Sequence, residues 1–210
     1  MTFEIWLAFT ITSLVILIIP GPTVIIVVSY ALGRGRSSAW ATVPGVALGD
    51  FVAMTISLLG AGAVLAASAT AFNFLKLVGA CYLVWLGVQL WRSEPDPDQI
   101  SGITAKSDGR RMFFNSFAVT ALNPKSIVFF VAFVPQFIVS GTPLGPQFVI
   151  LIATFVALAA LNVLLWAVLV GFMRSKFQRP ETLKLLNRLG GSFLVGAGLF
   201  TAFARRTAAS

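Results

Sequence analysis

Six apolar runs, each long enough to cross a lipid bilayer, occupy almost the whole of this 210-residue chain. They cover residues 3–32, 40–66, 70–91, 112–139, 146–173 and 182–204. A membrane helix needs about 20 mainly apolar residues, so the runs leave no room for a soluble domain. The residues are 58% apolar and 10% charged, and the mean hydropathy is +0.92, which no water-soluble globule of this size could bury. The sequence predicts an all-α, polytopic membrane protein with about six transmembrane helices.

The net charge of +8 lies in short loops rather than in a basic stripe with interleaved aromatic residues, so it argues against a nucleic-acid partner. Lysines and arginines at loops one, three and five outnumber those on the opposite side by eleven to three. The eleven are Arg34, Arg36, Arg92, Lys106, Arg110, Arg111, Arg174, Lys176, Arg179, Lys184 and Arg188; the three are Lys76, Arg205 and Arg206. Positive loops stay in the cytoplasm, so six spans place both termini outside. A re-entrant first span would instead leave five crossings and the amino terminus inside.

The chain is expected to form one transmembrane domain, 1–210, with two three-helix halves. The only long hydrophilic stretch, 93–111, is predicted to be a cytoplasmic linker between a first half, 1–92, and a second half, 112–210. Segment 76–87 aligns without gaps on 187–198, and the second copy lies three spans after the first. An odd number of helices inserts the second copy from the opposite side, so the sequence predicts two inverted repeats.

Two of the apolar runs contain motifs that interrupt a helix. Pro20-Gly21-Pro22 lies in the first run and Asn123-Pro124-Lys125 in the fourth. Proline lacks a backbone N–H and its ring clashes with the preceding turn, so both helices should bend or break. Freed carbonyls are tolerated in a membrane only where they are buried in protein or line a cavity. A single proline would favour a plain packing kink, whereas two motifs in corresponding spans favour a binding-site element.

Asp50 and Lys125 are the clear intramembrane charges, and each costs about 2.5 kcal/mol or more at the bilayer centre. Counted from the cytoplasmic ends of their spans, they lie roughly 15 and 21 Å deep at helical rise, so their depths are compatible with pairing. They are candidates to bind the two ends of a zwitterion, and Asp50 is a candidate to carry a coupling proton. A purely structural ion pair is the alternative.

Small and amide residues in the spans are interpreted mainly as packing elements. Gly45 and Gly49 form a Gly-x-x-x-Gly face, and small residues let helix backbones approach closely. Gly49 also directly precedes Asp50, and it is kept among the candidate site residues. Three amides at membrane depth are expected to bridge helices rather than to touch a substrate: Asn115, Gln136 and Asn162.

The sequence offers little for catalysis or metal binding. It contains no histidine and a single cysteine, Cys81, so a disulfide framework, a thiol redox pair and a histidine metal site are poorly supported. The spans hold no pair of carboxylates. No enzyme activity, cofactor or metal is predicted, and the lack of a Gly-x-x-x-x-Gly-Lys loop argues against ATP as the energy source.

The motifs, taken in order, resemble the lysine exporter (LysE/RhtB) family across essentially the whole chain. They are Pro20-Gly21-Pro22, Gly45-x-x-x-Gly49-Asp50, Leu83-x-x-Leu86-Gly87, Asn123-Pro124-Lys125, Phe129-Phe130 and Phe133-x-Pro135-Gln136-Phe137. The resemblance implies a six-helix secondary exporter of amino acids or their derivatives in the bacterial inner membrane. It also implies coupling to the proton gradient or the membrane potential.

The sequence therefore predicts an exporter whose site lies between the two halves. The candidate substrate-binding or coupling residues are Pro20, Gly21, Pro22, Gly49, Asp50, Asn123, Pro124 and Lys125. The expected partners are a small amino-acid-like substrate and the lipid bilayer, with a homo-oligomer left open. A passive channel is the main alternative. A non-transporting scaffold has little reason to keep two buried charges and two broken helices.

Overall fold

A computed structural model of the chain describes residues 1–19, 21–92, 108–139, 141–172 and 180–203. Within these ranges every regular element is helical, which confirms the all-α prediction. The α-helices are α1 (Phe3–Ile18), α2 (Pro22–Arg34), α3 (Ala39–Ala67), α4 (Ala69–Arg92), α5 (Gly109–Ala121), α6 (Pro124–Val128), α7 (Leu144–Phe172) and α8 (Pro180–Phe203). A 3₁₀ turn, Gly35–Ser38, joins α2 to α3.

The helices coincide with the six apolar runs to within a few residues. In the described part of the chain, three helical segments are long and apolar enough to cross a membrane: Pro22–Val64, Gly109–Phe137 and Leu144–Val170. Shorter apolar helices cover Phe3–Ile18, Leu77–Arg92 and Gly191–Ala202. Most of the predicted 93–111 linker lies outside the described residues, although its end is already helical from Gly109.

The first and fourth spans are both broken at the predicted motifs. Helix α1 ends at Ile18 and α2 begins at Pro22, while α5 ends at Ala121 and α6 begins at Pro124. Each proline occupies the first helical position, where its missing N–H costs no hydrogen bond. Pro20 lies outside the described residues. After α6 the fourth span continues as a π-helical turn and a 3₁₀ turn, and π-helical turns occur frequently at functional sites.

Helices α1 and α2 follow one another along α7 in the same direction. Near the start of α1, Trp6 Nε1 donates to Thr154 Oγ1 of α7 at 3.0 Å. Near its end, the main-chain oxygen of Leu17 accepts from Asn162 Nδ2 at 2.9 Å. The buried residues of α2 then pack against the carboxyl-terminal part of α7. This arrangement is that of one interrupted span rather than of a re-entrant hairpin.

Two helix pairs pack through glycines. Helix α3 packs on α5, where a Cβ atom at Gly49 would lie only 2.8 Å from Thr120 Cβ. Helices α4 and α8 form an antiparallel pair, with Gly87 against the backbone at Gly191 and Gly198 against the backbone at Ala80. These reciprocal contacts join the two segments that the sequence aligns. They are the contacts expected of a pseudo-twofold pair, and the inverted repeat itself stays a prediction.

Candidate functional site

The two helix breaks meet in the interior of the bundle, and Thr23 joins them. Thr23 lies in the first turn of α2, and its hydroxyl oxygen accepts from Asn123 Nδ2 at 3.1 Å and from Thr120 Oγ1 at 3.2 Å. The other end of the Asn123 amide caps α6, because Oδ1 accepts from the Lys125 backbone N–H at 3.1 Å. One asparagine therefore both starts α6 and ties the second break to the first.

Lys125 reaches from α6 to the end of α1. Its ammonium donates to the main-chain carbonyls of Ile16, at 3.1 Å, and Ile19, at 2.9 Å. The Ile16 carbonyl would bond the N–H four residues on in an unbroken helix, but that residue is Pro20, which has none. The carboxyl end of a helix also carries partial negative charge. The cation thus satisfies the carbonyls that the break sets free.

Gly21 gives the lysine side chain the space to pass. A Cβ atom at this position would lie 3.2 Å from Nζ and 3.3 Å from Cε of Lys125. Such distances are tighter than ordinary van der Waals contact, so a larger residue would push the ammonium away from its carbonyls. Gly21 thus belongs to the site through the space it leaves.

Asn162 on α7 supplies a second donor to the end of α1. Its Nδ2 bonds the Leu17 carbonyl, as described above, and its side chain faces the same cavity as Lys125. The sequence predicted an amide that bridges helices, and this is what Asn162 does. Its position beside the break, however, was not foreseen.

Asp50 lies on α3 beside the same cavity and is only 2% exposed. The depths of Asp50 and Lys125 in the sequence were compatible with pairing, and the two charges do interact electrostatically. They make no direct contact, because the lysine directs its hydrogen bonds to the two α1 carbonyls. Within the described ranges no ion pair joins the two charges, and the Asp50 carboxylate has no hydrogen bond. The structure thus leaves a buried carboxylate facing the cavity across from a buried ammonium.

The cavity has a volume of about 20 Å³. Its polar lining includes Asp50, Asn123, Lys125 and Asn162, and its apolar wall includes Phe129 and Phe155. A cavity of this size holds about one water molecule. Small-molecule sites occupy roughly 300 Å³ or more, so this conformation is closed around the site.

The structure brings only some of the candidate residues to the cavity. Asp50, Asn123 and Lys125 line it, and Gly21 contacts the lysine. Gly49 instead faces α5, while Pro22 and Pro124 are exposed on the outside of the bundle, where they start helices. Sequence reasoning missed Thr23 and Thr120. A threonine directly after Pro22, in the first turn after a break, was a usable signal for the first of these.

A second, open cavity of about 480 Å³ lies at the end of the bundle that carries the positive charges. Arg34, Trp40 and Arg110 line it. Between this mouth and the inner cavity, the Asn115 amide donates to the Tyr30 hydroxyl at 2.8 Å and links α5 to α2. Tyr30 is buried among the apolar residues of α2, α3 and α7. Along α2, Tyr30 therefore lies between Val24, which lines the inner cavity, and Arg34, which lines the open one, while the Asn115 side chain is exposed.

A comparison with known proteins identifies the family of this chain. The family model of LysE type translocators matches residues 14–205. The chain belongs to the LysE family. The match covers both helix breaks and every residue that lines the inner cavity, and it confirms the resemblance seen in the sequence motifs. As a LysE family member, the chain is a multi-pass protein of the bacterial inner membrane.

Individual relatives align over almost their whole length. The chain is 33% identical to a homoserine/homoserine lactone efflux protein of Salmonella typhi over 205 residues, covering 98% of the chain and 99% of the relative. It is 30% identical to a leucine efflux protein of Enterobacter sp. (strain 638) over 201 residues, covering 95% and 93%. An uncharacterised membrane protein of Vibrio cholerae is 31% identical over 205 residues, with coverage of 98% and 100%. No solved structure gives a significant match.

Proposed function

We propose that this LysE family protein is a secondary exporter of amino acids or amino-acid-like solutes, with its binding site at the meeting point of the two helix breaks. The observation that carries the proposal is one cavity that holds a buried carboxylate, Asp50, and a buried ammonium, Lys125. The efflux proteins among the relatives, named for homoserine and leucine, support an amino-acid-like substrate.

The polar groups of the cavity match the two ends of a zwitterion. The Asp50 carboxylate is the partner for the substrate ammonium, because no described residue bonds it. The Lys125 ammonium has three donors, and the Ile16 and Ile19 carbonyls take two of them. The third donor and the N-terminus of α2 at Thr23 bind the substrate carboxylate.

Export requires the closed cavity to open on alternate sides. On the basic side, we assign the closing role to the buried Tyr30 side chain, whose hydroxyl accepts a hydrogen bond from Asn115. On the other side lies an aromatic cluster of Phe129, Phe130 and Phe155. The centroid of the Phe155 ring lies 5.9 Å from that of Phe129 and 4.8 Å from that of Phe130. Loosening one layer while the other stays packed exposes the site to one side at a time, which is alternating access.

We propose that the proton gradient or the membrane potential supplies the energy for export. Asp50 is a protonatable group inside the membrane, where ionisable residues mark ion pathways and proton relays. A proton taken up when substrate leaves, and released before the next substrate ammonium binds, would couple the two movements. This step uses one carboxylate and one proton per cycle.

A flux measurement tests the proposal. Proteoliposomes containing the purified protein are loaded with a mixture of labelled amino acids, and release is followed with and without an imposed proton gradient or potential. The expected result is selective release of one or a few amino acids that the gradient accelerates, and loss of this release in Asp50→Asn. Selective release that no gradient affects indicates a passive channel, and no release of any amino acid contradicts the proposal.

A further inference from the structure

The end of α1 is built as a cation site. Two main-chain carbonyls, those of Ile16 and Ile19, converge on one point, and the Asp50 carboxylate faces the same cavity. In membrane transporters with broken helices, unwound carbonyls and helix carboxyl ends coordinate the coupling sodium ion or proton. In this protein, the group at that point is the ammonium of Lys125.

We infer that Lys125 is the resident cation of this site and takes the place that a dissociable sodium ion has in other broken-helix transporters. The inference rests on the proposed export function, which it deepens by assigning the cation of the same site. Three features make the cation part of the protein: a lysine directly after Pro124, a break that frees the Ile16 carbonyl, and a glycine at 21 that lets the side chain pass.

Two consequences follow for the wild-type protein and for its variants. The wild-type protein does not need sodium, because its carbonyl site is already filled. Shortening the lysine leaves carbonyls and a carboxylate that attract a small free cation. Propylammonium matches the three methylenes and the ammonium that Lys125→Ala removes, so it is the probe that fits best. Sodium is the second probe.

The test measures the melting temperature of the full-length protein in detergent, in chloride salts of propylammonium, sodium and tetramethylammonium at equal ionic strength. Lys125→Ala should melt about 3–6 °C higher in propylammonium at ten times its Kd than in tetramethylammonium, which has no N–H to donate. The wild type should show no such difference. Lys184→Ala, which removes an exposed lysine at the start of α8, is the matched control and should behave like the wild type.

A second pair of variants guards against misfolding. Lys125→Ser also removes the ammonium but leaves a small polar group at the base of the emptied space, and it should show the same order of salts. Lys125→Ala combined with Asp50→Asn should lose most of the gain, because the site then lacks its carboxylate. The inference is overturned if neither Lys125→Ala nor Lys125→Ser gains stability in propylammonium or sodium. This holds both when the variants are equally stable in all salts and when they fold in none of them. A wild type that sodium selectively stabilises overturns it as well.

The two proposals fail separately. The melting measurement needs no substrate and no transport. If the protein releases no amino acid but Lys125→Ala gains stability from propylammonium, the cation site is supported and the export function is contradicted. If the protein exports amino acids but neither lysine variant shows a cation effect, the export function is supported and the resident-cation role of Lys125 is contradicted.

Discussion

The ammonium of Lys125 donates a 2.9 Å hydrogen bond to the main-chain carbonyl of Ile19, across more than 100 residues of chain. This contact joins the fourth span to the end of the broken first span. Because Asn123, two residues earlier, is hydrogen-bonded to Thr23 just past that break, the two interruptions form one unit. We therefore expect a movement of either broken span to be transmitted to the other.

Removing the two buried charges should have unequal effects. Lys125→Met leaves two carbonyls without donors and should lower the free energy of unfolding by roughly 2–4 kcal/mol. Asp50→Asn removes a buried carboxylate that no described residue hydrogen-bonds, but it also takes a negative charge away from the Lys125 ammonium, so it should change stability little while export falls by about tenfold or more. Unfolding in detergent and efflux from proteoliposomes measure the two quantities. In the double variant, stability should stay low, whereas recovery of both yield and export would identify a purely structural ion pair.

Asn123 should contribute more to the free energy of unfolding than an exposed polar residue does. Asn123→Ala removes the cap of α6 and the link to Thr23, so we expect a loss of about 1–3 kcal/mol in unfolding free energy. Asn73→Ala, at an exposed position of α4, is the control and should cost little. Equal stability of the two variants would show that the link between the breaks carries no energy.

Gly49 and Gly60 lie on the same helix, α3, in different surroundings. A Cβ atom at Gly49 would lie 2.8 Å from Thr120 Cβ and 2.9 Å from the Phe117 carbonyl oxygen, while one at Gly60 meets no described atom within 4 Å. Gly49→Leu should therefore push α3 from α5 and sharply lower the yield of folded protein, and Gly60→Leu should not. Normal yield of Gly49→Leu with an altered choice of substrate would move Gly49 into the binding site.

The hydrogen bond between Tyr30 and Asn115 should hold the site closed toward the basic end. Tyr30→Phe removes a bond worth about 1 kcal/mol, which corresponds to a roughly fivefold larger open population. A cysteine placed at Ser126, which lines the cavity, reports opening through its rate of modification in a Cys81→Ser background. The rate from the basic side should rise about fivefold in Tyr30→Phe and stay constant in the control Tyr82→Phe. An unchanged rate in both would remove the bond from the closing layer.

The orientation in the membrane is open to a direct check. Reporter fusions near Arg36, Lys106 and Arg179 should report the cytoplasm, because positive charge in short loops resists translocation. Fusions after Ser210 should report the opposite side. A periplasmic signal from the 92–111 region would contradict the six-span arrangement.

Much of the fold could be predicted because it depends on local chemistry. The apolar runs had to be membrane helices, since no soluble core accommodates them, and their bounds agree with the helices to within a few residues. Both breaks were predictable as well, because a proline has no N–H wherever it lies. The family could be recognised from motif order, and the family match over residues 14–205 agrees.

The partners of the freed groups were decided by tertiary structure. Depth along separate helices is set by residue counting, and on that measure Asp50 and Lys125 lay at depths compatible with pairing. Pairing also depends on the rotation and tilt of each helix, which no single span specifies. Packing of α6 beside the end of α1 turned the Lys125 ammonium to the Ile16 and Ile19 carbonyls, leaving Asp50 to face the cavity without a direct contact to the ammonium. Thr23 gained its role for the same reason, because a hydroxyl becomes a bridge only when two distant helix starts are brought within 3.2 Å of it.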